Sequence, residues 1–144
     1  MDWAAKNIHK QRGVVLEFGL GNGRTFDHMR KLLPQRDIYV FEREIAAHPD
    51  CIPHPAFQFI GDFRDSIPMA IEQLGRSAAL AYLDIGAEQK NTSLALASKI
   101  TPCIEKLLCV NAIVVSEQEV ERWRSYKLQL PAGISENRIH LYRL

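Results

Sequence analysis

Apolar and polar positions follow two rhythms along this chain, and the switches between them mark its elements. Nearly continuous apolar runs at 14–18 (VVLEF), 37–42 (DIYVFE), 56–60 (AFQFI), 78–85 (AALAYLDI) and 110–116 (VNAIVVS) predict strands covered on both faces. Between the first two, Phe26, Met29, Leu32 and Leu33 recur at helical spacing, predicting a helix over 25–33 that Pro34 closes. A further helix is predicted with Ser66 as its cap, Pro68 in its first turn, Ile71 and Leu74 on its apolar face and Gly75 at its end. The stretch 93–108 predicts a longer helix with Pro102 as a point of interruption, and 2–10 and 120–123 predict short ones. The rhythm then turns to alternation at 126–130 and 138–142 around PAGISEN, which predicts an antiparallel hairpin.

Strands alternating with helices imply an α/β fold with a doubly wound, mostly parallel sheet, closed by the C-terminal antiparallel hairpin. No internal repeat or linker divides residues 1–144, so one domain is expected. In such folds ligands bind beyond the carboxyl ends of the strands. The loops that begin at Gly19, Glu42, Gly61 and Asp84 should therefore face one cleft.

Composition narrows the partners. The apolar fraction of 47% and charged fraction of 24% suit an ordinary globular domain. A net charge of +1 leaves no electrostatic footprint for nucleic acid or an anionic membrane, so neither is expected. No apolar run is long enough to span a bilayer, and the first residues lack a secretory core. Cys51, Cys103 and Cys109 form no CxxC pair; free thiols in a reducing cytoplasm are expected.

The chemistry concentrates at EFGLGNGRT, residues 17–25, where Gly19, Gly21 and Gly23 end the first strand. Glycines there let a backbone approach a ligand, although a purely structural turn uses them too. A dinucleotide fingerprint spaces its glycines G-x-G-x-x-G, whereas here the third arrives one residue early. Glu17 would also repel a pyrophosphate and favour an ammonium or sulfonium group, unless loop amides satisfy it. Glu42 ends the second strand, where an acid can accept from ribose hydroxyls; Glu44 competes for the role. Asp62 could accept from an adenine amino group beside the Phe63 backbone, or simply form a Gly-Asp turn. Asp84 ends an apolar strand and needs local donors or a ligand.

With EFGLGNG, Glu42, GDF and Asp84, the chain resembles the class I S-adenosylmethionine-dependent methyltransferases, and within them a small group of compact bacterial proteins. The resemblance covers almost the whole chain and implies S-adenosyl-L-methionine as cofactor, with S-adenosyl-L-homocysteine as product. It implies that Glu17 and the loop of Gly19, Leu20, Gly21 and Gly23 hold the methionine end. Glu42 would bind the ribose, Asp62 and Phe63 the adenine, and Asp84, Ile85 and Gly86 would border the methyl group and its acceptor. Arg43 departs from the apolar residue of many relatives, though a guanidinium plane also stacks on a base.

Methyl transfer from a sulfonium is an in-line displacement governed by orientation, so no universal catalytic residue is expected. The segment after strand four reads DIGAEQ, which lacks the N/D-P-P-Y/W/F segment of relatives acting on DNA bases or glutamine. VVSEQE lacks the Asp-Asn pair of metal-dependent relatives, and no metal is expected. His48, Cys51 and His54 lack a fourth zinc ligand; either histidine is a candidate base at the acceptor site, while His28 and His140 read as structural. No long insertion follows strands four or five, which suits a small-molecule acceptor or a homodimer that covers the site. Two other readings stand beside an enzyme of this class: a catalytically silent cofactor-binding domain, and an NAD-dependent oxidoreductase, for which the chain lacks a Tyr-x-x-x-Lys pair.

Overall fold

The computed structural model describes residues 1–85, 90–135 and 138–144, with the side chains of 90–94 left aside. Four helices, α1 (Asp2–Asn7), α2 (Arg24–Leu32), α3 (Phe63–Leu74) and α4 (Lys90–Ile104), alternate with the strands β1 (Val14–Phe18), β2 (Ile38–Glu42), β3 (Gln58–Ile60), β4 (Ala78–Leu83) and β5 (Leu108–Ser116). The strands β6 (Lys127–Leu128) and β7 (His140–Arg143) complete a seven-stranded sheet in the order β3-β2-β1-β4-β5-β7-β6. The first five run parallel, and β7 is antiparallel to both β5 and β6. This is the doubly wound fold and terminal hairpin that the apolar rhythm predicts.

Successive strand residues point to opposite faces, and each face has its own core. Leu16, Phe18, Ala81 and Leu83 join Ile67 and Ala70 of α3 and Ile100 and Ile104 of α4. Val15, Leu80 and Tyr82 face the other way, against Ala4 of α1 and Phe26 and Met29 of α2. All of β4 is buried, as its uninterrupted apolar run requires. On the α3 side, Phe18 stacks on Phe41 at 4.3 Å and Phe41 on Phe59 at 4.9 Å, while Phe63 meets Phe18 edge-on. This aromatic ladder ties together the ends of β1, β2 and β3, each pair being worth about 0.5–1.5 kcal/mol beyond burial. It thereby fixes the relative positions of the loops beginning at Gly19, Glu42 and Gly61.

Several boundaries differ from expectation, each for a local reason. Ser66 does not cap α3. Asp62 does, accepting from the Arg64 amide at 2.9 Å, so the helix begins at Phe63 and Pro68 falls inside it. Strand β3 starts at Gln58 because Pro55–Phe57 form a 3-10 turn capped by His54. Pro102 lies within α4 near its end. Strand β5 reaches back to Leu108, with an irregular register against β4 and Asn111 at positive φ. The hairpin pairs fewer residues than its alternation suggests. Residues 120–123 contribute to a longer 3-10 segment, Glu121–Tyr126, whose Trp123 packs edge-on against Tyr142.

Candidate functional site

The strand order reverses at β1: β2 and β3 lie to one side, β4 and the rest to the other. The crevice beyond the carboxyl ends at such a switch point is where doubly wound folds bind ligands. Here it is a cleft of about 440 Å³. The loop after β1 contributes Gly19 and Gly21, and that after β2 contributes Glu42, Arg43 and Glu44. Gly61, Asp62 and Phe63 line it after β3, and Asp84 and Ile85 after β4, with Leu96 of α4 closing one wall. Its size falls in the range of about 300–1,000 Å³ usual for small-molecule sites.

Glycine is needed where the β1 loop crosses the switch point. Gly19 has φ +91°, and a Cβ there would stand 2.1 Å from the Asp84 carbonyl oxygen. Gly21, at φ +52°, faces open space within 4 Å, so its backbone is bare towards the cleft. Glu42 clamps this loop. Its Oε2 accepts from the Leu20 and Gly21 amides at 2.8 and 3.0 Å, and its Oε1 from the Arg43 amide at 2.8 Å. A carboxylate has about four acceptor sites, so these bonds leave room for a further donor.

The electrostatics single out Glu17. It is fully buried at 0% exposure, and among the described residues no donor makes a well-formed hydrogen bond to either of its oxygens; the Phe26 amide only leans towards the carboxyl. Burial foremost, then the charges of Asp84 and Glu42, push its carboxyl up to about 8; the Phe26 amide opposes them. The charges of Asp84 and Glu42 thus converge on Glu17. A buried carboxyl without a partner is costly and calls for a compensating group. A cation above the glycine loop is such a group. Asp62 lies at the opposite extreme: Arg64 and the α3 cap hold its carboxyl down at about 2.

Seven of the ten residues expected to hold a cofactor line one cleft: Gly19, Gly21, Glu42, Arg43, Asp62, Phe63 and Asp84. The other three do not form its wall. Glu17 is beneath it in the α1–α2 core, Leu20 is buried and reaches it only through its amide, and Gly23 packs against Cys51. Gly86 lies outside the described residues. Leu96 was missed, because its helix reads only as an apolar-faced element; its register above the carboxyl end of β4 could not be known.

Neither His48 nor His54 lines the cleft. Each Nδ1 accepts from the amide two residues on, Asp50 and Ala56, capping successive His-Pro 3-10 turns. Both rings thus take part in loop structure. His28 pairs with Asp2 at 3.2 Å, and His140 is buried on β7. Among the described residues no group of three metal-ligating side chains gathers, and all three cysteines are free.

A switch-point cleft floored by a glycine loop and rimmed by acids defines a Rossmann-like domain for a cationic, nucleoside-bearing ligand. The family model of the S-adenosyl-L-methionine methyltransferases matches residues 1–144, and the chain belongs to that family. S-adenosyl-L-methionine is the cofactor that this family and fold imply, and the unpartnered Glu17, the bare Gly21 backbone and the Glu42 carboxylate fit its cationic and ribose groups. The crystal structure of an S-adenosyl-L-methionine methyl transferase from Silicibacter pomeroyi DSS-3 is 35% identical in sequence, with a TM-score of 0.90 over 99% of this chain and 87% of that one. The apo structure of CmcI-N160 shares only the fold, at 15% identity and a TM-score of 0.53 over 85% of this chain and 52% of that one. No curated protein matches the chain.

Proposed function

We propose that the protein transfers the methyl group of S-adenosyl-L-methionine to a small-molecule acceptor, releasing S-adenosyl-L-homocysteine. The observation that carries this reading is the buried, unpartnered Glu17, flanked in charge by Asp84 and Glu42 beneath the glycine loop. Such a site favours a ligand with ammonium and sulfonium groups over a pyrophosphate. The cofactor supplies an electrophilic methyl carbon; the chain's own residues bind it, orient it and keep water away.

In this reading Glu17 and the backbone from Gly19 to Gly23 seat the methionine end. Glu42 uses its remaining acceptor capacity for a ribose hydroxyl while holding the loop amides. Asp62 and Phe63 border the adenine, and the Arg43 guanidinium, on the cleft wall, stacks against it. Asp84 and Ile85 face the methyl group. Three free cysteines suit a reducing compartment, and no described helix is long and apolar enough to cross a membrane.

Thermal unfolding with each of S-adenosyl-L-methionine, S-adenosyl-L-homocysteine and NAD tests the reading, since a ligand specific to the native state raises the midpoint. Both sulfur compounds should raise it and NAD should not. A shift with NAD alone would overturn the assignment.

A further inference from the structure

The sheet register sets three acids around one point at the carboxyl end of β1. Glu17 lies opposite Val40 of β2 on one side and Tyr82 of β4 on the other. Two residues beyond those partners come Glu42 and Asp84, and two beyond Glu17 comes Gly19. Side chains return to one face every second residue, so Glu42 and Asp84 flank the level of Gly19, and Glu17 lies one level below. Between the two outer acids, Gly19 adds no side chain over the buried one; a Cβ there would strike the Asp84 carbonyl oxygen.

The surroundings of Glu17 decide what can change its charge. It faces Glu42 from β2, Asp84 and Tyr82 from β4, and the Phe26 amide from α2. Otherwise α1 and α2 bring apolar side chains to this face, among them Ala4, Ile8, Phe26 and Met29, and their Asp2–His28 pair is exposed. Tyr82 stays neutral, because burial raises its hydroxyl, which donates to Glu117 Oε1 at 2.5 Å. Among the described residues no lysine or arginine contributes to the charge felt at Glu17. Pushed up to about 8, the acid keeps its proton at pH 7 until a ligand cation draws it off.

We infer that Glu17 responds to the sulfonium of the cofactor rather than to its ammonium, and so separates S-adenosyl-L-methionine from S-adenosyl-L-homocysteine by charge. The inference rests on the cofactor placement proposed above. There Glu42 holds the ribose and Asp84 faces the methyl group, and in the compound itself the sulfur joins those two parts. Glu17 feels the charges of the same two acids. In methyl transfer the sulfur keeps the electron pair of the broken bond and becomes a neutral thioether, while the ammonium is unchanged. With product in the cleft Glu17 has lost its cation, and it takes a proton back from solvent. Cofactor binding therefore releases a proton that product binding does not, and rising pH favours replacement of product by fresh cofactor.

The test is calorimetric titration of the full chain with each compound at pH 6, 7 and 8. Two buffers of different ionisation enthalpy give the number of protons released. At pH 7 S-adenosyl-L-methionine should release close to one proton, and S-adenosyl-L-homocysteine less than about half of one. The ratio of their affinities should rise about tenfold in favour of S-adenosyl-L-methionine from pH 6 to pH 8. Titrations that both ligands share cancel in that ratio. Glu17→Gln should abolish the difference in proton release and hold the ratio level. Equal proton release in the unchanged protein, or a ratio that still climbs in Glu17→Gln, would overturn the inference and leave the methyltransferase reading standing. A chain that binds neither compound would overturn that reading itself.

Discussion

The carboxyl ends of β1 and β3 each carry an acid near the same cleft, and the two acids have opposite surroundings. Glu17 is fully buried with no well-formed hydrogen bond among the described residues, and burial with two neighbouring charges pushes it up to about 8 against the pull of the Phe26 amide. Asp62 caps α3, pairs with Arg64 and is held down at about 2. The Asp62 carboxylate already has its donors from the chain. The Glu17 carboxylate has only the pull of the Phe26 amide, which does not offset burial and the neighbouring charges, so its ionisation waits on something the described residues do not supply. Binding function is thus expected to follow Glu17, and local helix structure Asp62.

The largest effect should come from Glu17→Gln, which keeps the shape and removes the charge. Cofactor affinity should fall about 10- to 100-fold, the usual worth of a hydrogen bond to a charged group, as measured by calorimetry. Stability without ligand should move the other way. A carboxyl raised in the folded state binds its proton more tightly there than in the unfolded chain, so native stability is lost as pH rises from about 4.5 through about 8. Glu17→Gln should flatten that part of the profile and be the more stable protein at pH 8. Cofactor affinity of the unchanged protein should rise over the same interval, because a cation favours the ionised acid. A variant that loses stability at pH 8 while keeping full affinity would mean that Glu17 is only a core residue.

Glu42→Ala comes next. Its carboxylate joins the β1 loop to the β2 end through the Leu20, Gly21 and Arg43 amides. Removing it leaves three donors without an acceptor, at about 1–3 kcal/mol for each that stays buried. Chemical denaturation should show a loss of that order, and affinity should drop about tenfold as the loop loosens and a ribose contact goes. Glu42→Gln, which retains an acceptor oxygen, should recover most of the stability. Full affinity in Glu42→Ala would remove this residue from the site.

How much of this was legible beforehand follows from what kind of information each feature needs. Apolar runs such as AALAYLDI announce buried parallel strands because they bury both faces, so the sheet and its cleft could be read directly. Four loops could be assigned to one cleft because a doubly wound fold puts all strand ends on one side. What the linear pattern does not contain is competition among donors. Whether Asp62 faces adenine or caps a helix depends on Arg64 two residues later and on a helix start three residues before Ser66. The His48 and His54 rings were open to a chemical reading until the prolines after them turned out to begin 3-10 turns that those rings cap.

The smallest effect should be that of Asp62→Asn, and it is the sharpest check on the contrast with Glu17. Asparagine caps a helix about as well as aspartate, so α3 should keep its start at Phe63. What goes is the exposed pair with Arg64, a kind of interaction worth little in water. Cofactor affinity should change by less than about fivefold. The clear signature lies at acid pH. An acid lowered in the folded state contributes stability above its ordinary value near 3.8, and that contribution is lost as pH falls towards about 2. Thermal unfolding between pH 5 and pH 2 should therefore fall less steeply in Asp62→Asn than in the unchanged protein. If Asp62→Asn instead weakens the cofactor as much as Glu17→Gln does, then its carboxylate serves the ligand as well as the helix, and pairing within the chain does not separate binding acids from structural ones.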